Sequence, residues 1–92
     1  MRQSFHLTIL SLRGIVFEDE VESVYLLGAE GEFEVLPFHY PMLAAIPEGK
    51  IFVAKNDPIP IKIGIVMFKE NKCVILVEVE AGMALQQSWD DV

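Results

Sequence analysis

Gly28-Ala29-Glu30-Gly31-Glu32-Phe33-Glu34-Val35-Leu36-Pro37-Phe38-His39-Tyr40-Pro41-Met42-Leu43-Ala44-Ala45 is the stretch on which the reading of this chain turns. Its first four residues form a tight turn, with glycines able to take a positive φ at no steric cost. Glu32-Phe33-Glu34-Val35 then alternates, Phe33 and Val35 on one face and the glutamates on the other, the period of a half-buried strand. Just upstream, Val21 to Leu27 is rich in β-branched and aromatic residues, so 21–35 reads as a β-hairpin. Just downstream, Pro37 and Pro41 bracket Phe38-His39-Tyr40. Proline fixes φ, removes a donor and keeps the residue before it extended, so this segment is a semi-rigid corner rather than a helix or a central strand.

The same pattern extends in both directions. Phe5, Leu7 and Ile9 share one face of a strand, with His6 and Thr8 on the other. Ile15-Val16-Phe17 reads as a second short strand, and Glu18-Asp19-Glu20 as a carboxylate knot in solvent beyond it. Met42 to Ile46 and Lys50 to Ala54 are further strands, separated by Pro47-Glu48-Gly49. Ile59 to Ile63 alternates, but Pro60 confines it to an edge or a bulge. Gly64 to Phe68 and Cys73 to Val79 are apolar strands joined at Lys69-Glu70-Asn71-Lys72. Short strands punctuated by turns, with no helical period over the first 80 positions, predict an all-β sandwich or barrel. The domain runs over 1–82, and 83–92 is a short tail in which Trp89 is expected to fold back on the sandwich.

Ninety-two residues make one domain, and a hydrophobic fraction of 52% suffices for its core. The longest apolar run, Ile63 to Phe68, falls far short of the ~18–20 residues that cross a bilayer. Arg13 interrupts the apolar N-terminal stretch and no cleavage site follows it, which argues against a signal peptide. The single cysteine, Cys73, excludes an internal disulfide and a cysteine-based metal cluster, and in Cys-Val-Ile-Leu-Val it reads as a buried, inert thiol. Net charge is −7, and its distribution matters more than its total. Eight carboxylates and no lysine or arginine lie between Gly14 and Gly49. That window is either a solvated face or a complement to a basic partner surface. Nucleic acid has the wrong sign for it.

Little in the chain carries chemistry. His6 and His39 neighbour no nucleophile, and two histidines without paired spacing make a poor metal set. Glu18/Glu20 and Glu32/Glu34 are spaced as outward positions of any solvated strand, not as a catalytic pair. Gly28-x-x-Gly31 is followed by neither a lysine nor a helix start, so it is no phosphate loop. No catalytic residue, cofactor or metal is assigned. A binding module remains.

The ordered motifs resemble the N-terminal β-sandwich of the epsilon subunit of F-type ATP synthase. The resemblance rests on Phe5-His6-Leu7-Thr8-Ile9, on Gly14-Ile15-Val16-Phe17 and on Val21-Glu22-Ser23-Val24. Its most specific part is the family pattern Gly-x-x-Gly-Glu-Phe-Gly-x-Leu-Pro-x-His-x-Pro-Leu-Leu, matched from Gly28 to Leu43. It runs from about Phe5 to Ala81. It implies a ten-stranded sandwich in the central rotor stalk, held by the gamma subunit and seated on the membrane c ring, that transmits torque without making bonds. It places the chain at the cytoplasmic face of a bacterial inner membrane, peripheral and without a span of its own. Carried over, Glu30, Glu32 and His39 are contact residues for c ring and gamma, with Phe38 and Tyr40 beside them.

The chain departs from the pattern where Glu34, Phe38 and Tyr40 stand at positions the family keeps small, and where Ile63-Gly64 replaces a Gly-Gly pair. The dozen residues after the sandwich are too few for the family's C-terminal helical hairpin at ~1.5 Å rise per residue, so neither its inhibition nor its ATP binding is expected. The alternative reading is a stand-alone β-sandwich adaptor that kept the fold and changed partners.

Overall fold

The computed structural model describes residues 3–28 and 31–79. Among them are eight strands: β1 (Phe5–Ser11), β2 (Gly14–Val21), β3 (Val24–Gly28), β4 (Gly31–Val35), β5 (Met42–Ile46), β6 (Gly49–Val53), β7 (Ile59–Lys69) and β8 (Lys72–Val79). They form one mixed sheet in the order β2-β1-β8-β7-β6-β3-β4, with β5 also on β7. Only β1 and β8 run parallel; every other pair is antiparallel.

Residues from opposite ends of this order share one core. Phe5, Leu7 and Ile9 of β1 and Cys73 and Ile75 of β8 are fully buried with Val24 of β3, Val35 of β4 and Ile51 of β6. A flat sheet cannot do that, so the sheet folds over on itself. The turning point is β7. Its first residues pair with β6 and its last with β5, along the edge that β8 leaves free. A one-residue bulge between Ile61 and Ile63 lies between those two halves. The extra residue shifts the parity: Ile59 and Ile61 point inward before it, Gly64, Val66 and Phe68 after it. One long strand thus keeps its apolar face on the core while bending from one layer to the other.

Several sequence expectations change here. Ile59–Ile63 and Gly64–Phe68, read as separate strands, are one. The described residues hold eight strands where the resemblance implies ten. Glu18-Asp19-Glu20 is not a knot beyond a strand but the second half of β2, paired with Thr8, Leu7 and His6. The ladder satisfies the backbone whatever the side chain, and an edge strand leaves its carboxylates in water. Val21 closes β2 instead of opening the next strand, and β3 begins at Val24. The 69–72 hairpin, the inward set Phe5, Leu7 and Ile9, and the buried Cys73 stand as read. Burial pushes the Cys73 thiol up to about 12, so it is protonated and inert near neutrality. The tail, 83–92, lies outside the described residues.

Candidate partner interface

The expected contact residues occupy two places, not one. Glu32 sits on β4 at the turn end of the β3–β4 hairpin, and Glu30 lies outside the described residues. At this end Gly28 stands opposite both Gly31 and Gly49 in neighbouring strands. A shallow cleft beside Glu32 is lined by Leu26, Phe33, Ile46 and Pro47. The Glu32 carboxylate beside the Tyr25 hydroxyl holds the phenol pKa above its ordinary value.

The corner lies beyond the other end of β4, separated from Glu32 by about 10 Å of strand and the residues that follow it. Phe38 and Tyr40 are 65% and 84% exposed. His39 is half-buried between them. Its Nδ1–H donates to the Tyr40 carbonyl at 2.7 Å, and its ring meets Phe68 edge-on at 5.7 Å. Phe68 in turn packs edge-on against Phe5 at 5.5 Å, so the corner is tied to the centre of the core. A second tie comes from Asn71 in the β7–β8 turn, whose Oδ1 accepts the Phe38 N–H at 2.7 Å and whose Nδ2 donates to the Ser4 carbonyl at 2.9 Å.

The acidic window does not form a single face along the sheet. Glu18, Asp19 and Glu20 lie on β2 and Glu32 and Glu34 on β4, the two ends of the strand order. Carboxylates on edge strands discourage pairing with another chain's edge, which is one reason for them that involves no partner.

One cluster on β2 is built. His6 stands directly across from Glu20 and one step along the same face from Glu18. Its Nε2 reaches Glu18 Oε2 at 2.8 Å and its Nδ1 reaches Glu20 Oε2 at 3.0 Å, while Ser4 Oγ donates to Glu20 Oε1 at 3.0 Å. Ionised carboxylates only accept, so both ring nitrogens carry hydrogen when both bonds are made. Those two hydrogen bonds, Glu18's first, hold the imidazole pKa above 6.5. Lys72 lies across from His6 on the parallel neighbour β8. Because the folded pKa is raised, the cluster's stabilisation is fully present below the unfolded value and is lost as pH rises through the folded one. Urea unfolding should therefore show wild type and His6→Gln differing more at about pH 6 than at about pH 8. An equal gap at both would mean that the imidazolium contributes nothing.

Sequence reasoning missed the broadest feature, an outward apolar face across five strands. Ala45, Ile65, Leu76, Leu10 and Ile15 stand in register on β5, β7, β8, β1 and β2. Leu43, Met67 and Val74 form the row beside them, and Leu43 and Ile15 are 72% and 60% exposed. The signal was there, since several strands are apolar at both parities, but only the register shows that the outward sets line up. Among the described residues no group of three potential ligands could hold a metal ion, and no helix is long and apolar enough to cross a membrane.

The sequence over residues 4–81 matches the family model described as ATP synthase, Delta/Epsilon chain, beta-sandwich domain. This chain belongs to that family. It is 39% identical over 77 residues to the ATP synthase epsilon chain of Campylobacter concisus, an alignment covering 79% of this chain and 60% of that one. It is 37% identical over 81 residues to the epsilon chain of Lawsonia intracellularis, covering 85% and 61%. The chain thus spans about 60% of the length of the curated relatives it matches. Its fold is also that of a chain in the central stalk and c-ring structure of the Tetrahymena thermophila mitochondrial ATP synthase. The TM-score is 0.69 at 16% identity, over 84% of this chain and 65% of that one. The family's β-sandwich is the fold expected from the ordered motifs. The eight-stranded mixed sheet is its form here.

Proposed function

We propose that the chain is a non-catalytic subunit of the F-type ATP synthase rotor, joining the gamma subunit to the c ring and passing torque during ion-driven ATP synthesis. The observation that carries this is the five-strand apolar face together with the corner that leads into it at Leu43. A monomer seldom leaves so continuous an apolar surface in water, and a large stalk partner is what such a surface fits. The Glu32 end is a separate surface, a carboxylate beside a shallow cleft, suited to a second partner that brings a basic or polar group to Glu32. Two surfaces for two partners match a coupling role better than one would. The protein is then peripheral to the bacterial membrane's cytoplasmic face, held there by its complex.

Co-purification with isolated gamma and with the c ring tests this reading. The folded chain is expected to associate with both; a folded chain that retains neither overturns it. Glu32→Lys should lower affinity for the ring and leave gamma binding intact, with the loss greatest at low ionic strength. Unchanged ring affinity would remove Glu32 from that contact. A stand-alone adaptor, the second reading, draws support from Phe38 and Tyr40 at positions the family keeps small, and the same co-purification separates the two.

A further inference from the structure

We infer that Asn71 is the positioning residue of the corner, locking Phe38 in a left-handed backbone conformation that presents its ring as an anchor for an apolar recess on gamma. This rests on the stalk reading above.

Phe38 has φ 61 and is exposed, although its ring is large and apolar. Bulky side chains enter that region only against steric resistance, and nothing is gained in folding by leaving such a ring in water. Strain of this kind persists only where surrounding structure over-determines it, and it marks sites of function. The structure that over-determines it is Asn71. Glu70 and Asn71 both have positive φ, 54 and 60, the backbone of a type I′ two-residue turn between Lys69 and Lys72. That turn aims the Asn71 amide at the corner, 33 positions away in sequence. Its oxygen takes the Phe38 N–H while its NH2 group holds the Ser4 carbonyl, so the side chain cannot rotate without losing both bonds.

The presented surface is apolar and uncharged. Leu36 to Met42 contains no acidic or basic side chain apart from His39, whose Nδ1 is committed to Tyr40. Leu36, Phe38 and Tyr40 are each at least half exposed. An aromatic ring on a pre-set backbone loses little entropy on docking, and it leads directly into Leu43 of the apolar face. The charges nearest to it, Lys69, Glu70 and Lys72, belong to the β7–β8 turn that Asn71 ties to the corner.

Asn71→Gly tests this cleanly, because glycine suits a type I′ turn and the hairpin survives while both side-chain bonds go. Phe38→Gly removes the ring and relieves the backbone. Affinity for purified gamma should fall roughly fivefold to tenfold in Asn71→Gly, and roughly tenfold or more in Phe38→Gly. Adding Asn71→Gly to Phe38→Gly should change nothing further. If Asn71→Gly lowers stability but leaves gamma affinity intact, or weakens binding equally in both backgrounds, Asn71 is scaffold only and the inference falls. Amide exchange and the φ-reporting coupling of Phe38 check the positioning half without gamma: Asn71→Gly must release both, and a Phe38 still protected at positive φ overturns it. A wild-type chain that ignores gamma overturns the stalk reading and the anchor with it.

Discussion

Phe68→Ala is expected to destabilise the domain by about 3–5 kcal/mol, the range for removing a buried aromatic ring. Total stability for a domain of this kind is about 5–15 kcal/mol, so the variant stands at the edge of folding. Phe68 is 2% exposed and meets both the Phe5 and the His39 rings edge-on. Its loss therefore leaves a cavity in the core and also unseats the corner. Urea denaturation measures the first effect. Phe68→Leu keeps most of the volume and removes the edge-on contacts with Phe5 and His39, so it isolates the loss of the ring from the loss of volume. A Phe68→Ala loss below about 1 kcal/mol would show that the core re-collapses around the site.

Gly49→Ala should be at least as damaging, for a different reason. A Cβ at Gly49 would run into the carbonyl oxygen of Leu27 and come within 2.7 Å of the Gly28 Cα. Both are backbone atoms of β3, the strand with which β6 pairs through Gly28 and Gly49. Backbone cannot rotate aside, so the β3–β6 ladder must open at that end. The expected cost is at least about 3 kcal/mol, the upper end of overpacking penalties. Gly64→Ala is the control. Its Cβ would first meet the Cδ1 of Ile61 at 3.0 Å, the far end of a flexible side chain, and its cost should be smaller. A Gly49→Ala domain within about 1 kcal/mol of wild type would mean that the three-strand register is looser than the structure describes.

The two positions differ in how visible they were beforehand. Phe68 belongs to an apolar strand, and its burial follows from composition and alternation. Gly49 reads only as a turn former after Pro47-Glu48. Its real constraint is the approach of another strand, which is non-local and leaves no mark on the residues beside it. Asn71 is the same case. In sequence it is one polar residue of a hairpin turn, while in space its side chain joins that turn to Phe38 and Ser4. His6, Glu18 and Glu20 were each noted as outward residues, but their convergence depends on β1 and β2 pairing in one particular register.

By itself the sequence determined that the protein is all-β, which hairpins close on adjacent turns, which alternating residues face inward, and which family's motifs it carries. These depend on period, turn chemistry and short-range spacing, all of which act between near neighbours in the chain. The tertiary structure alone decided that β2 continues through its carboxylates and that β7 is one strand with a parity-shifting bulge. It also aligned the five outward apolar sets into one face and brought Asn71 to Phe38. Apart from the extent of β2, which its hairpin with β1 sets, each of these is set by pairing between segments far apart in sequence. A one-residue change of register would reverse every face involved, and that register is fixed by the shared core rather than by any local stretch of residues.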